Sequence, residues 1–228
     1  MSSIPIGPDP DFPYLDENTY FSFPDPKEWD SDIISIGGNL SPGMLLSAYE
    51  QGIFPWYNPG DPVLWQSPNP RCLIFPDYLH ISSSMKKVFN QKIFNITYDK
   101  DFLGVIRGCS EVKRSKQDGT WISDDFINAY SELHRLGWAH SAEAWHDGKL
   151  AGGCYGVLLG RVFIGESMFS AKANASKAAF ISLAQLLFEN TVAFIDCQVP
   201  TPHLMSLGGE EMEREDYLEL LEMYRAKR

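Results

Sequence analysis

Residues 139–170 read AHSAEAWHDGKLAGGCYGVLLGRVFIGESMFS, and the fold class turns on how this stretch is divided. Asp147-Gly148 is a strong hairpin signal, because both residue types tolerate the positive φ that a tight two-residue turn demands. Gly160-Arg161 offers a second turn. Around these turns lie three apolar, β-prone segments, which predict antiparallel strands over 139–146, 149–158 and 161–169. Side chains alternate along a strand, so Val162, Ile164, Glu166 and Met168 are expected on one face. A carboxylate then stands among apolar neighbours, and burying it unpaired costs several kcal/mol, roughly. Glu166 therefore needs partners or a shifted pKa; a structural ion pair, an exposed strand end and a functional carboxylate in a cleft all satisfy that requirement.

Outward from the meander, ASKAAFISLAQLLFE over 175–189 predicts a helix, 192–199 a returning strand, and 213–226 an acidic amphipathic helix. On the other side, Ser123 is placed to cap a helix in which Phe126, Ile127, Tyr130 and Leu133 share a face and Gly137 is the stop. Before it come an apolar segment from Cys72, a helix near 82–90, a strand KIFNITY and a helix starting near Asp101. Ser41, Pro42 and Gly52 punctuate a short helix nearer the N-terminus. The stretch IFPWYNPGDPVLWQSPNPR that follows is expected to be irregular, since five prolines remove backbone donors. A meander, a helix and a returning strand make the class α+β, in a chain whose length suits one large domain or one medium domain with a small appendage and in which a second region begins at residue 72.

The 228 residues carry a net charge of −11, which argues against a nucleic-acid partner until its distribution is read. Residues 1–32 hold eight acids and one base, and 210–222 hold seven acids and one base. Those ends account for −13. Residues 86–116 carry eight bases against three acids, either a solvated surface or a nucleic-acid face. The four cysteines are widely spaced and read as reduced core thiols, and the scattered histidines give no metal-ligand spacing. No segment approaches a membrane span or a secretory signal, so a cytoplasmic protein is expected.

Two further features break local rules. In IDCQV at 195–199, strand alternation puts Asp196 and Gln198 on one face and Ile195, Cys197 and Val199 on the other. Trp56 in FPWYNPG and Trp121 in DGTWIS sit beside turn residues, where a tryptophan serves as a packing plug or as a stacking platform for a base. Together with the basic segment, the second reading points to a single-stranded nucleic-acid end.

The motifs GGNLSP at 37–42, GIFPW at 52–56, SPNPR at 67–71, GTWI at 119–122, HSAEAW at 140–145, GESMFS at 165–170, NASK at 174–177 and IDCQV at 195–199 resemble, in order and spacing, the bacterial leucyl/phenylalanyl-tRNA–protein transferases. The resemblance runs from about residue 34 to 208. It implies a small N-terminal domain over 1–70 followed by a GNAT-like domain over 71–228, with an antiparallel/mixed sheet and flanking helices. It also implies transfer of leucine or phenylalanine, less readily methionine, from aminoacyl-tRNA to acceptor proteins with N-terminal Lys or Arg. The added residue would mark the acceptor for N-end-rule degradation.

The resemblance places Trp56, Trp121 and Tyr130 at the tRNA's terminal adenosine, and Glu166, Asp196 and Gln198 at the reaction centre. Cys154, Met168 and Phe180 are candidates for the wall of the aminoacyl pocket. Lys86, Lys87, Arg107, Lys113, Arg114 and Lys116 are candidates for phosphate contacts. No cofactor and no metal is expected, because an aminoacyl ester is already activated toward an amine, and a monomer is expected. Asp196 is expected to supply electrostatics or take the amine's proton, and Gln198, whose amide is not basic, to align the amine. Three rivals stand beside this reading. A GNAT-type N-acetyltransferase would want a glycine-rich pyrophosphate loop where this chain has SAKANASK. A non-catalytic RNA-end binder would not need the three polar residues. A cysteine hydrolase would need Cys197 beside the polar pair.

Overall fold

The computed structural model describes residues 9, 11–111 and 122–226. In chain order the elements are β1 (Ile33–Ile36), α1 (Pro42–Glu50), β2 (Phe54–Pro55), β3 (Leu64–Gln66), β4 (Arg71–Ile74), α2 (Ser83–Asn90), β5 (Asn95–Tyr98) and α3 (Phe102–Glu111). There follow α4 (Asp124–Arg135), β6 (Ala139–His146), β7 (Lys149–Leu159), β8 (Val162–Ser170), α5 (Ala175–Glu189), β9 (Phe194–Asp196), α6 (Pro202–Met205), β10 (Glu210–Met212) and α7 (Arg214–Tyr224). The class is α+β. A three-stranded sheet runs β1-β3-β2, and a seven-stranded mixed sheet runs β10-β4-β9-β8-β7-β6-β5.

The meander forms as the turn chemistry predicts. Asp147 and Gly148 both take positive φ, at 49° and 73°, and β6, β7 and β8 pair antiparallel in sequence. The α5 helix returns the chain to β9, which lies parallel to β8 through Val162↔Phe194, Phe163↔Ile195 and Ile164↔Asp196. Apolar residues on the two faces of the sheet feed two cores. One face packs α3 and α4 through Phe102, Ile106, Phe126, Tyr130 and Leu133, and continues into α1 and Trp65 of the N-terminal sheet. The other packs α2 and α5 through Met85, Val88, Ala178, Phe180 and Ile181. No helix among the described residues is long and apolar enough to cross a membrane.

Three departures from the sequence expectations bear on the site. The proline-rich stretch after α1 is not wholly irregular, because it contributes β2 and β3. Pro55 is tolerated there since β2 is an edge strand, where a missing donor breaks no central ladder. The returning strand is shorter than 192–199 and ends at Asp196, because Gln198 takes a left-handed backbone with φ of 65°. In β8, Tyr155 pairs with Ser167 and Gly156 with Gly165, which leaves Glu166 as an extra residue. This bulge resets the alternation, so Met168 faces the α5 side with Phe163 while Glu166 points toward α1 and α4. Gly156 opposite the bulge has no room for a side chain, since a Cβ would fall 2.2 Å from the Ile164 carbonyl oxygen.

Candidate active site

Beyond Ile164 and Asp196 the parallel strands part. The β8 strand stays with β7, while the chain after β9 turns toward β4: the Cys197 N–H donates to the Cys72 carbonyl (2.8 Å) and the Cys72 N–H to the Gln198 carbonyl (3.0 Å). The wedge opens into a cavity of about 410 Å³, within the usual range for a small-molecule site. Gly165, Glu166, Ser167 and Met168 line one edge and Cys197, Gln198 and Val199 the other. Trp56 and Phe54 reach it from the N-terminal sheet, and His203 from α6. The three residues expected on the aminoacyl pocket wall, Cys154, Met168 and Phe180, all line this one cavity. Burial pushes the Cys154 thiol well up, so it presents a neutral, apolar surface.

Glu166 is partly accessible, through the cavity it lines, and is otherwise enclosed by protein. Its Oε1 accepts from the Tyr49 hydroxyl (2.7 Å) and from Gln198 Nε2 (3.1 Å), and its Oε2 accepts from the Tyr130 hydroxyl (3.0 Å). The two tyrosine hydroxyls also touch each other. Burial pushes the Glu166 carboxyl up to about 7, against the lowering effect of the hydrogen bonds from Tyr49 and Tyr130. Hydrogen counting points the same way. Two hydroxyl protons serve three oxygen–oxygen contacts in the ionised form, and a proton on Glu166 completes the ring. Both tyrosines are themselves raised well above the ordinary phenol value, first by burial and then by Glu166.

Gln198 is held at both ends. Its backbone N–H donates to Asp196 Oδ1 (2.8 Å), and its side-chain amide donates to Glu166. With one Nε2 hydrogen tied to Glu166, the amide's carbonyl oxygen is the acceptor it can offer the cavity. Asp196, which the resemblance puts at the reaction centre, is wholly buried and absent from the cavity wall. Arg71 grips it with two bonds, Nε to Oδ1 (2.9 Å) and Nη2 to Oδ2 (2.7 Å), and the Tyr217 hydroxyl donates to Oδ2 (2.8 Å). Asp196 is thus an ion-pair partner whose contact with Gln198 is through the backbone.

Of the residues expected at the terminal adenosine, Trp56 lines the cavity. Tyr130 is fully buried, and its contribution here is the hydroxyl on Glu166 rather than an accessible ring. Trp121 lies outside the described residues, as do Lys113, Arg114 and Lys116. Lys86 and Lys87 are exposed on α2 and Arg107 on α3, helices that pack on opposite faces of the large sheet. The structure does not gather those three into one patch. Cys197 packs in the core as expected but also lines the cavity beside Gln198, because the chain leaves the strand pattern after Asp196. Its thiol is pushed well up by the hydrogen bond with Cys72 and by burial, which disfavours the thiolate that a cysteine hydrolase needs.

Sequence reasoning missed Tyr49, Arg71 and Tyr217. Tyr49 lies in an apolar helix buried on every side, where nothing marks one aromatic residue apart from the rest. Arg71 was visible only as the last residue of SPNPR. It follows a run that reads as loop, and only the tertiary fold shows it buried at 1% exposure.

Comparison with known proteins identifies the family. Residues 73–222 match the family model for leucyl/phenylalanyl-tRNA protein transferase, and residues 38–69 match that family's N-terminal domain. A leucyl/phenylalanyl-tRNA–protein transferase of Desulfatibacillum aliphaticivorans is 52% identical over 200 residues, covering 87% of this chain and 86% of the relative. The one from Flavobacterium johnsoniae is 51% identical, covering 87% and 94%. The one from Hahella chejuensis is 46% identical over 215 residues, covering 94% and 92%. Among solved structures, L-PGS from Bacillus licheniformis superposes with a TM-score of 0.39 at 14% identity, over 69% of this chain and 50% of that one. A tandem GNAT protein from the clavulanic acid biosynthesis pathway gives 0.35 at 14%, over 78% and 60%. On two family-model matches that together span most of the chain, and on relatives about half identical along nearly their whole length, the chain belongs to the leucyl/phenylalanyl-tRNA protein transferase family of aminoacyltransferases.

Proposed function

We propose that this protein transfers leucine or phenylalanine, and less readily methionine, from aminoacyl-tRNA to the N-terminal Lys or Arg of acceptor proteins. The peptide bond so formed marks the acceptor for N-end-rule degradation, and a cytoplasmic site of action goes with these substrates. One observation carries the reading. An apolar cavity walled by Cys154, Met168 and Phe180 also holds, at its edge, the side chain of Gln198 with its amide nitrogen tied to Glu166. Such a cavity accepts a leucyl or phenylalanyl side chain and offers a carbonyl oxygen to the amine that attacks the ester.

The reaction is aminolysis of an ester. The acceptor's α-amine nitrogen bonds to the aminoacyl carbonyl carbon, the ester carbon–oxygen bond to the terminal ribose breaks, and the proton lost by the amine balances the one gained by the ribose oxygen. An α-amino group has an ordinary pKa of about 7.7–8.0, so roughly a tenth is free base near neutrality. Alignment then supplies much of the acceleration. Gln198 accepts an N–H of the amine through its carbonyl oxygen and fixes the direction of the lone pair. Glu166 orders that amide and, when ionised, draws a cationic acceptor terminus toward the site. Asp196 contributes its buried negative charge and the anchoring of Gln198. Trp56 offers the terminal adenine a stacking face beside the cavity.

The test is direct. The protein is incubated with labelled leucyl-tRNA or phenylalanyl-tRNA and a peptide beginning with Arg, and label is expected on the peptide. Gln198→Ala is expected to slow single-turnover transfer by at least tenfold. No transfer with either donor overturns the function, and an unimpaired Gln198→Ala overturns the role given to that residue.

A further inference from the structure

We propose that Arg71 and Tyr217 are positioning residues for this reaction, acting through Asp196 to hold Gln198 in its left-handed backbone conformation; this rests on the role given to Gln198 above. The observation behind it is a continuous chain of contacts in which every member but the last is out of reach of substrate. Arg71, Asp196 and Tyr217 are each no more than 1% exposed, and none lines the cavity. The guanidinium of Arg71 lies between two rings, 4.9 Å from the Phe54 centroid and 4.5 Å from that of Tyr217. Burial alone would lower the pKa of Arg71, but Asp196 and Tyr217 together raise it, so the cation is kept.

Gln198 has φ of 65°, a region that residues with a side chain seldom occupy without being held there. Two bonds hold it: its N–H on Asp196 Oδ1 at 2.8 Å, and its carbonyl under the Cys72 N–H at 3.0 Å. The first works only if Asp196 does not rotate. Arg71 prevents rotation by engaging both carboxylate oxygens, and the Tyr217 hydroxyl, which also accepts from Arg71 Nη2 at 3.2 Å, closes the remaining side of Oδ2. From this turn the side chain of Gln198 reaches Glu166, where its amide nitrogen is fixed. Arg71 comes from β4 and Tyr217 from α7, so the last helix of the chain reaches the reaction through one hydroxyl.

The experiment is a double-mutant cycle on transfer kinetics. Tyr217→Phe keeps the ring and removes the hydroxyl; kcat is expected to fall about tenfold, the loss of one charge-assisted hydrogen bond, with KM for donor and acceptor unchanged. In the Gln198→Ala background the same change is expected to have no further effect on the residual rate, because the unit acts only through Gln198. An unchanged kcat in the otherwise native protein, or an equal fall in both backgrounds, overturns the proposal. If Tyr217→Phe does not yield folded protein, Arg71→Lys carries the same cycle, since an ammonium keeps the charge but loses the fork onto both oxygens. Full activity of Gln198→Ala alone overturns the underlying reading of that residue, and is told apart because it does not involve Tyr217 or Arg71.

Discussion

Replacing Glu166 by Gln should flatten the pH dependence of stability over a defined window. The carboxyl sits at about 7 in the folded protein, against an ordinary value of 4.5. A group whose folded pKa is raised holds its proton more tightly folded than unfolded. Its contribution is therefore full below 4.5 and lost as pH rises through 7. Each pH unit inside that window costs about 1.4 kcal/mol, so the native protein should lose up to about 3 kcal/mol that the variant does not. Water in the cavity screens the charge and lowers this toward about 2 kcal/mol. The assay is urea denaturation of both proteins at pH 5, 6, 7 and 8, with the free-energy difference plotted against pH. Other titrating groups cancel in that difference. A flat line would refute the reasoning, because it would mean that Glu166 is ionised throughout and that the enclosure by Tyr49, Tyr130 and Gln198 does not desolvate it.

Three other outcomes follow from the cavity and its surroundings. Trp56→Ala should weaken aminoacyl-tRNA binding by about 1–3 kcal/mol, a five- to 150-fold change in an equilibrium titration, if the ring stacks on a base. Cys154→Met adds volume at a buried wall position, and should lower kcat/KM for the phenylalanyl donor relative to the leucyl donor by about tenfold or more in a competition assay. Binding should weaken with salt, and removing Lys86, Lys87 or Arg107 should flatten the log–log slope by roughly 0.7–0.9 for each residue that meets a phosphate. Because α2 and α3 lie on opposite faces of the sheet, the slope measured for each residue separately will tell which face the tRNA tracks.

The meander was legible because its turns announce themselves: Asp147-Gly148 accepts a backbone that few other pairs do, and α5 carries its apolar residues at helical spacing from the first to the last. Glu166 and Gln198 were legible as offences against pattern, a carboxylate and an amide in apolar strands. Strict alternation put Cys197 on the face of Ile195 and Glu166 on that of Val162 and Ile164, and both placements hold; it also put Met168 beside Glu166, and that one failed. The bulge at Glu166 shifts the alternation, and a shift of that kind is fixed by pairing with a neighbouring strand rather than by the local sequence. The proline-rich stretch misled in the opposite direction. Its prolines forbid a central strand and say nothing against a two-residue edge strand such as β2. Arg71 and Tyr217 were beyond reach because each is explained only by a partner at least 21 residues away in the chain.

The parting of β8 and β9 has a consequence for how selectivity can change over generations. The cavity mouth is bounded on both sides by main chain that is itself hydrogen-bonded to a further strand, β7 on one side and β4 on the other. Neither edge can move without breaking a ladder, so the width of the opening is a fixed inheritance of the sheet. Cys154, Met168 and Phe180 line the cavity with side chains that belong to neither ladder contact. On the proposed function, drift at those three positions would retune which amino acid is preferred while the anchoring of Gln198 and Glu166 stays untouched. A lineage would then explore new donors by single substitutions, without first passing through a broken catalyst.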